Sequence, residues 1–530
     1  MSTDLNFGKI RSFLWPVRRH EARKLVPMLI MLFLICFSYG ILRIMKDSVV
    51  ITASGAEVLP FIKVWGMLPM AILLTFGFTK LSNKYSQEHV FYIMTTGFLT
   101  FFGLFAFVLY PMRDIIHPYE TADALEIMLP AGFKGLISMF KYWTFTTFYI
   151  LSELWSTIVM QILFWGFANE VTRIKEARRF YGIFGIGSNF AAIASGQAGV
   201  FFSQGNTYNP NIPFGSDAWE QTMMMLILLI IGSGILTMWI FRWMNRHVLN
   251  DPSFDDLRAN KKAIKAKGRL SLKESFSYLS NSKYLLCIAV VVIAYNLVIN
   301  LAELVWKDKL FQLYPSPCDF NTYTSNLHSI MGVVSTITAF FMAAIIGKFG
   351  WTRTALITPV IMLLTAAGFF GFLSFQDTFL DVFVAWIGMT PLAIAVFFGS
   401  MQNCLSKAAK YSVFDTTKEM AFIPLGHECK LRGKAAIDGV GSRLGKSGGS
   451  LIHQGLLMCL TTVSACLPYV AVIFVIITIL WIMAAKSLGK QFNELVASNK
   501  EKDSQENQES ETVATPTENN PQIETEPLRA

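Results

Sequence analysis

Four ionisable side chains sit inside or at the ends of long apolar runs: Lys46, Glu153, Glu303 and Lys446. An unpaired charge at the centre of a membrane helix costs at least ~2.5–3.5 kcal/mol, so such groups pair with one another or mark a substrate path. Glu153 is the clearest case. It lies in Tyr149-Ile150-Leu151-Ser152-Glu153 with no base three or four residues away, so a partner must come from another helix. Lys46 and Glu303 lie near the ends of their runs, where a side chain can also snorkel to the interface. Lys446 is surrounded by Gly and Ser and is an accessible point charge suited to phosphate oxygens, with Arg443 three residues earlier on the same face. Asn189 carries an amide able to read a base edge or to bond between helices. Two lysines and two carboxylates suit an anion such as a nucleotide polyphosphate, the acids keeping the empty site near neutral. An organic phosphate or an amino acid would fit the same inventory.

The elements that must position these groups follow from composition. Of 530 residues 53% are hydrophobic and 15% charged, where a soluble chain carries roughly 25% charged residues. Apolar stretches near the ~20 residues that cross a bilayer fall close to 25–45, 59–80, 90–112, 140–168, 180–203 and 222–243. Six more lie near 284–306, 328–347, 354–375, 379–403, 435–460 and 462–485. The expected fold is therefore an all-α membrane protein with twelve transmembrane helices in two six-helix bundles, of the major-facilitator kind. The first run is longer than a signal core and has no small-residue cleavage site before Arg43-Ile44-Met45-Lys46-Asp47, so it reads as a span.

The chain divides into a basic leader at 1–24, bundles at 25–243 and 284–486, a basic linker at 244–283 and an acidic tail at 487–530 expected to be disordered. Lys and Arg concentrate in the leader and linker, while the 204–221 loop has none, so both termini and the linker are expected to be cytoplasmic. The net charge of +9 thus reports topology and gives no reason to expect a nucleic acid polymer as partner. A repeat is also legible: Gly185-Ile186-Gly187-Ser188 echoes Gly439-Val440-Gly441-Ser442, Arg178 echoes Arg432, and Tyr39 before Lys46 echoes Tyr295 before Glu303.

Other chemistries find little support. The seven cysteines form no CxxC or metal-type spacing, and no metal or cofactor is expected. Gly439 to Gly449 approaches the phosphate-binding loop, but Val440 stands where its first glycine belongs and no strand precedes it, which argues against an ATPase. A membrane-embedded phosphotransferase would need a nucleophile or metal cluster, and the lone His453 reads as a packed side chain, so no enzyme is expected.

The runs Ile44-Met45-Lys46-Asp47-Ser48, Ser152-Glu153-Leu154-Trp155, Asn300-Leu301-Ala302-Glu303-Leu304-Val305-Trp306-Lys307 and Leu444-Gly445-Lys446-Ser447-Gly448-Gly449 resemble the ATP/ADP translocase family of obligate intracellular bacteria and plastids. The resemblance covers about residues 20–490. It implies an antiporter that imports host ATP in exchange for ADP, with phosphate accompanying ADP in parts of the family. It also implies substrate-binding roles for Lys46, Glu153, Glu303 and Lys446 and raises Asn189 as a nucleotide-binding position. A functional monomer in a bacterial inner membrane is the corresponding expectation, since no plastid-type extension precedes the first span. The same family contains proton-driven importers of several nucleotides, which these motifs do not separate.

Overall fold

The computed structural model describes residues 17–172, 174–205, 208–248, 282–374, 388–425, 433, 434, 437 and 441–513, and no strand occurs among them. The described chain is a bundle of long helices: α1 (Arg19–Ser54), α2 (Val58–Lys84), α3 (Gln87–Leu109), α4 (Trp143–Val171), α5 (Ile174–Ser203), α6 (Ala218–His247) and α7 (Lys283–Leu313). The continuous helix Pro317–Ser374 bends at Gly350, whose φ of 73° is left-handed, and so makes two limbs, α8 (317–349) and α9 (351–374). Then come α10 (Pro391–Ala409, prolonged through wide turns to Ala421), α11 (Ser442–Leu460) and α12 (Val463–Val513). Side chains of Ser86, Asp217, Ser282 and Thr390 accept from backbone N–H groups at the starts of α3, α6, α7 and α10, which fixes where those helices begin.

Twelve spans are expected from the sequence, and eight helices in the described residues are long and apolar enough to cross a membrane. The expected spans five and eight are helical as well, as α5 and α8, and the described parts of spans ten and eleven are helical from Pro391 and Ser442, as α10 and α11, but these four are not among those eight. α5 and α11 are rich in Gly and Ser, and small residues let helix backbones approach closely. Large apolar side chains face outward instead, with Ile72 and Phe76 on α2, Trp239 on α6 and Val472 and Met483 on α12 all exposed, as a lipid-facing belt requires.

The two halves repeat one packing plan. α1 packs on α4, α5 and α6, and α7 packs on α10, α11 and α12 in the same order. Close approach is made by glycine: a Cβ at Gly187 would meet Leu29 of α1, and one at Gly445 would meet Asn296 and the backbone of Ile293 on α7. In the first half the core includes Phe105 stacked on Phe148 at 4.1 Å and Phe102 beside Trp155. In the second, Tyr295 stacks on Phe414 at 4.7 Å with Trp481 edge-on.

Two sequence expectations meet the structure differently. α1 begins at Arg19, inside the expected leader, because Arg179 of α5 pairs with Glu21 at 2.6 Å and Glu176 pairs with Lys24 at 2.5 Å. The tail expected to lose order at 487 continues α12 to Val513: Leu488 is buried and Phe492 stacks on Trp351 at 4.9 Å, so this stretch does have something to bury. The linker at 249–281, residues 514–530, and Arg432, Gly439 and Val440 of the repeat lie outside the described residues.

Candidate functional site

A continuous chain of ion pairs crosses from one half to the other in the last third of α1 and of α7. It starts at Glu153 on α4, whose Oε1 lies 3.0 Å from Lys46 Nζ and whose Oε2 accepts from the Tyr39 hydroxyl at 3.2 Å. Lys46 also pairs with Asp47 Oδ1 at 3.0 Å and its ammonium sits 3.7 Å from the Tyr149 ring centroid. Asp47 Oδ2 reaches Lys307 of α7 at 2.8 Å, the step that joins the halves. Lys307 lies 3.5 Å from Glu303 Oε1, which Lys407 of α10 contacts at 3.0 Å. The partner of Glu153 thus comes from another helix, and Lys46, at 1% exposure, is neutralised on two sides.

Four cations of this centre are missing from the sequence inventory, Lys407 and three more. Lys307 is four residues after Glu303, a spacing that places both on one helix face. Lys63 stands in a wide π-helical turn of α2, Ile62–Met67, and donates to Asn300 Oδ1 at 3.0 Å. Arg43, one turn before Lys46, is within electrostatic reach of Glu153, Glu303, Tyr39 and Tyr411, yet makes no hydrogen bond or ion pair among the described residues. The centre therefore sets Arg43, Lys46, Lys63, Lys307 and Lys407 against Asp47, Glu153 and Glu303, two more cations than carboxylates. In an interior of low dielectric such a surplus calls for an anion.

The remaining expected residues lie apart from this chain. Lys446 and Arg443 are exposed on α11 with no ion pair among the described residues, and Lys446 is one of the charges acting on Tyr411 of the neighbouring α10. The acids expected to face the two lysines divide otherwise: Glu153 holds Lys46, while Glu303 holds Lys407 and Lys307, not Lys446. Asn189 is half-buried where α5 crosses α8, its backbone oxygen next to Gly332. His453 is 2% exposed and its Nε2 lies 3.2 Å from the Leu301 carbonyl oxygen, a packed position between α11 and α7.

Around the ion chain, the halves are joined along two seams. On one, α5 meets α8 through Gly196 and Gly199 against Ser325 and Ser329, with Gln197 donating to Ser329 at 3.0 Å, Asn321 donating to Ser203 at 2.7 Å and Ser48 donating to Asn321 at 3.1 Å. On the other, α2 meets α7 through Lys63 and Asn300, and Gly132 abuts the backbone of Met458 on α11. These contacts lie toward the end of the bundle where α1 finishes and α7 turns into α8. Toward the end where α1 begins, Tyr411, Arg443 and Lys446 are exposed. The cavity between Arg43, Asp47, Glu303 and Lys407 has a volume of about 50 Å³, room for a few waters. A ligand of nucleotide size needs several hundred Å³, so the halves must separate to admit one.

Comparison with known proteins agrees with this architecture. Among solved structures, a D-xylose-proton symporter superposes with a TM-score of 0.55 at 12% identity, over 88% of this chain and 97% of that one. A bacterial homologue of the iron transporter ferroportin, in an inward-facing state, superposes with a TM-score of 0.53 at 13% identity, over 88% and 98%. At such identities the likeness is one of fold alone: a multi-helix bundle of the major-facilitator kind. By sequence the chain is 45% identical to ADP,ATP carrier protein 1 of Chlamydia pneumoniae over 492 residues, 92% of this chain and 94% of the relative. It is 40% identical to the chloroplastic ADP,ATP carrier protein 2 of Arabidopsis thaliana, over 90% and 75%. With residues 1–492 matching the family profile described as TLC ATP/ADP transporter, the chain belongs to that family of membrane transporters.

Proposed function

We propose that this protein imports ATP in exchange for ADP by alternating access of its two halves. The observation that carries the reading is the surplus of cations over carboxylates in the inter-half centre, taken with 45% identity to a protein named an ADP,ATP carrier. A polyphosphate supplies the missing negative charge and, being long, spans both halves.

In this reading Lys46 and Lys446 hold phosphate oxygens, one from each half, with Arg443 at the mouth and Asn189 toward the base. Glu153 holds Lys46 while the site is empty and Glu303 holds Lys407 and Lys307, so the carboxylates and the incoming phosphates compete for the same ammonium groups. That competition lets a carrier bind and still release, because the cations stay paired in either state. Both termini and the linker are cytoplasmic, the bundles correspond to 25–243 and 284–486, and the membrane is a bacterial inner membrane, where the chain works as a monomer. The opposing nucleotide gradients supply the driving force, with phosphate leaving alongside ADP, and no chemical step on the nucleotide is needed.

Uptake of labelled ATP by proteoliposomes, empty or preloaded with ADP and with or without an uncoupler, tests this. Uptake confined to ADP-loaded vesicles and indifferent to the uncoupler is expected. Equal uptake into empty vesicles, abolished by the uncoupler, would replace exchange by proton-driven import of several nucleotides.

A further inference from the structure

Three polar groups in the inter-half cavity have no partner of their own among the described residues. Arg43 makes no hydrogen bond or ion pair among the described residues. Asn403 of α10 is 4% exposed, and its amide Nδ2 has no hydrogen-bond partner. His328 of α8 has a buried Nε2, also unpartnered, held close to α1 because Gly40 presents no side chain there. All three line the cavity that also holds Lys407. Buried polar groups are nearly always satisfied, and leaving one unpaired costs about 1–3 kcal/mol. Two such buried atoms, on Asn403 and His328, lie on one small cavity beside the partly exposed guanidinium of Arg43, so a ligand placed there would satisfy all three.

The chemistry of that ligand follows from the donors. A guanidinium offers five N–H groups in a planar fork that fits two oxygens of a phosphoryl group at once. The free Nδ2 of Asn403 can only donate. The imidazole of His328 can donate from Nε2 when that nitrogen carries the proton. Glu303 already occupies Lys407, so the free donors lack an acceptor, and the cation surplus of the centre gives that acceptor a negative charge. We infer that Arg43, Asn403 and His328 form a subsite for the terminal phosphoryl group of the transported nucleotide, distinct from Lys46 and Lys446. This inference rests on the nucleotide-exchange reading for its ligand, and the subsite would set the preference for longer over shorter phosphate chains.

Inorganic tripolyphosphate, ATP and AMP, each measured by calorimetry or ligand-induced thermal shift on the purified full chain, separate the two readings. Arg43→Gln is expected to weaken tripolyphosphate and ATP by about tenfold or more while changing AMP by less than about threefold, since AMP has no terminal group to place there. Arg43→Lys, which keeps the charge and loses the fork, is expected to fall between, and Asn403→Leu is expected to reproduce the ATP-over-AMP loss. Equal weakening of ATP and AMP, or tripolyphosphate binding that Arg43→Gln leaves intact, would overturn the subsite even if ATP/ADP exchange by the unaltered protein stands. Tripolyphosphate binding that depends on Arg43 in a protein that exchanges no nucleotide would support the phosphoryl subsite and sink the exchange reading instead.

Discussion

Asp47 on α1 and Lys307 on α7 meet at 2.8 Å and are the one ion pair among the described residues that joins the two halves. Each is also held within its own half, Asp47 by Lys46 and Lys307 by Glu303, so the bridge can break without stranding a charge. That arrangement suits a latch. Asp47→Asn keeps the shape and removes the ionic tie across the interface together with the Lys46–Asp47 pair, leaving Lys46 with Glu153 and Lys307 with Glu303. A thiol placed at Ser203, a position 2% exposed on the α5–α8 seam beside the ion chain, is then expected to react with maleimide at least about fivefold faster, the effect of roughly 1 kcal/mol on the open population. An unchanged labelling rate in a background free of native cysteines would show that the pair does not hold this end closed.

The seam between α5 and α8 makes a second test of alternating access. Asn321 and Ser203 are hydrogen-bonded at 2.7 Å across it, and Gly196 and Gly199 allow the helices to touch. With cysteines at Ser203 and Asn321 joined by a short bifunctional thiol reagent, exchange in proteoliposomes is expected to stop and to return when the linkage is cleaved. Exchange that continues through a complete cross-link would rule out separation of the halves at this seam.

How much of this was legible in the sequence depends on where a charge sits along its helix. Glu153 lies deep in an apolar run, so both its importance and its off-helix partner could be argued from cost alone. Arg43, Lys63 and Lys407 lie nearer the ends of their runs, where a long side chain can reach water, and nothing local shows that they turn inward instead. Lys307 could have been found, because its spacing from Glu303 puts both on one face. The pairing of Glu303 with Lys407, and not Lys446, was beyond reach, since it depends on how α10 and α11 flank α7. The eight helices of membrane length were readable because apolar length is a property of the segment itself, whereas the tenth, expected at 379–403, is described as a helix only from Pro391 and continues to Ala421. The persistence of α12 to Val513 was not, since the ring that Phe492 stacks on, Trp351, lies 141 residues earlier in the chain.

A pH effect is expected outside the membrane. His117, 4% exposed in the loop after α3, is held neutral by burial, which pushes its ring below the ordinary 6.5, with Arg113 adding to the effect and Asp114 opposing it. Its Nε2 lies 2.6 Å from the Thr144 hydroxyl and its Nδ1 3.2 Å from that of Tyr119. The unfolded chain binds the proton first, so stability falls as pH drops through 6.5 and levels off below the folded value. The thermal midpoint of the unaltered protein should therefore decline between about pH 7.5 and 5.5 more steeply than that of His117→Gln, which has no ring to protonate. Parallel declines would assign the acid sensitivity to other groups.

Lys46 and Lys446 should separate stability from transport. Lys46 is buried between Asp47 and Glu153, and removing one partner of a buried ion pair costs about 3–5 kcal/mol because the other charge is left uncompensated. Here the residual partners are better served than in an isolated pair, as Asp47 keeps Lys307 and Glu153 keeps Tyr39. Lys46→Met is thus expected to lower the thermal midpoint clearly while leaving a folded protein that exchanges no nucleotide. Lys446 is exposed with no ion pair among the described residues, so Lys446→Ala should change stability by no more than about 0.5 kcal/mol. If it nevertheless contacts phosphate, nucleotide affinity must drop by about tenfold, the value of one charge-assisted hydrogen bond. A Lys446→Ala protein with unchanged melting, affinity and exchange rate would remove this residue from the site and leave phosphate binding to the cations of α1, α2, α7 and α10.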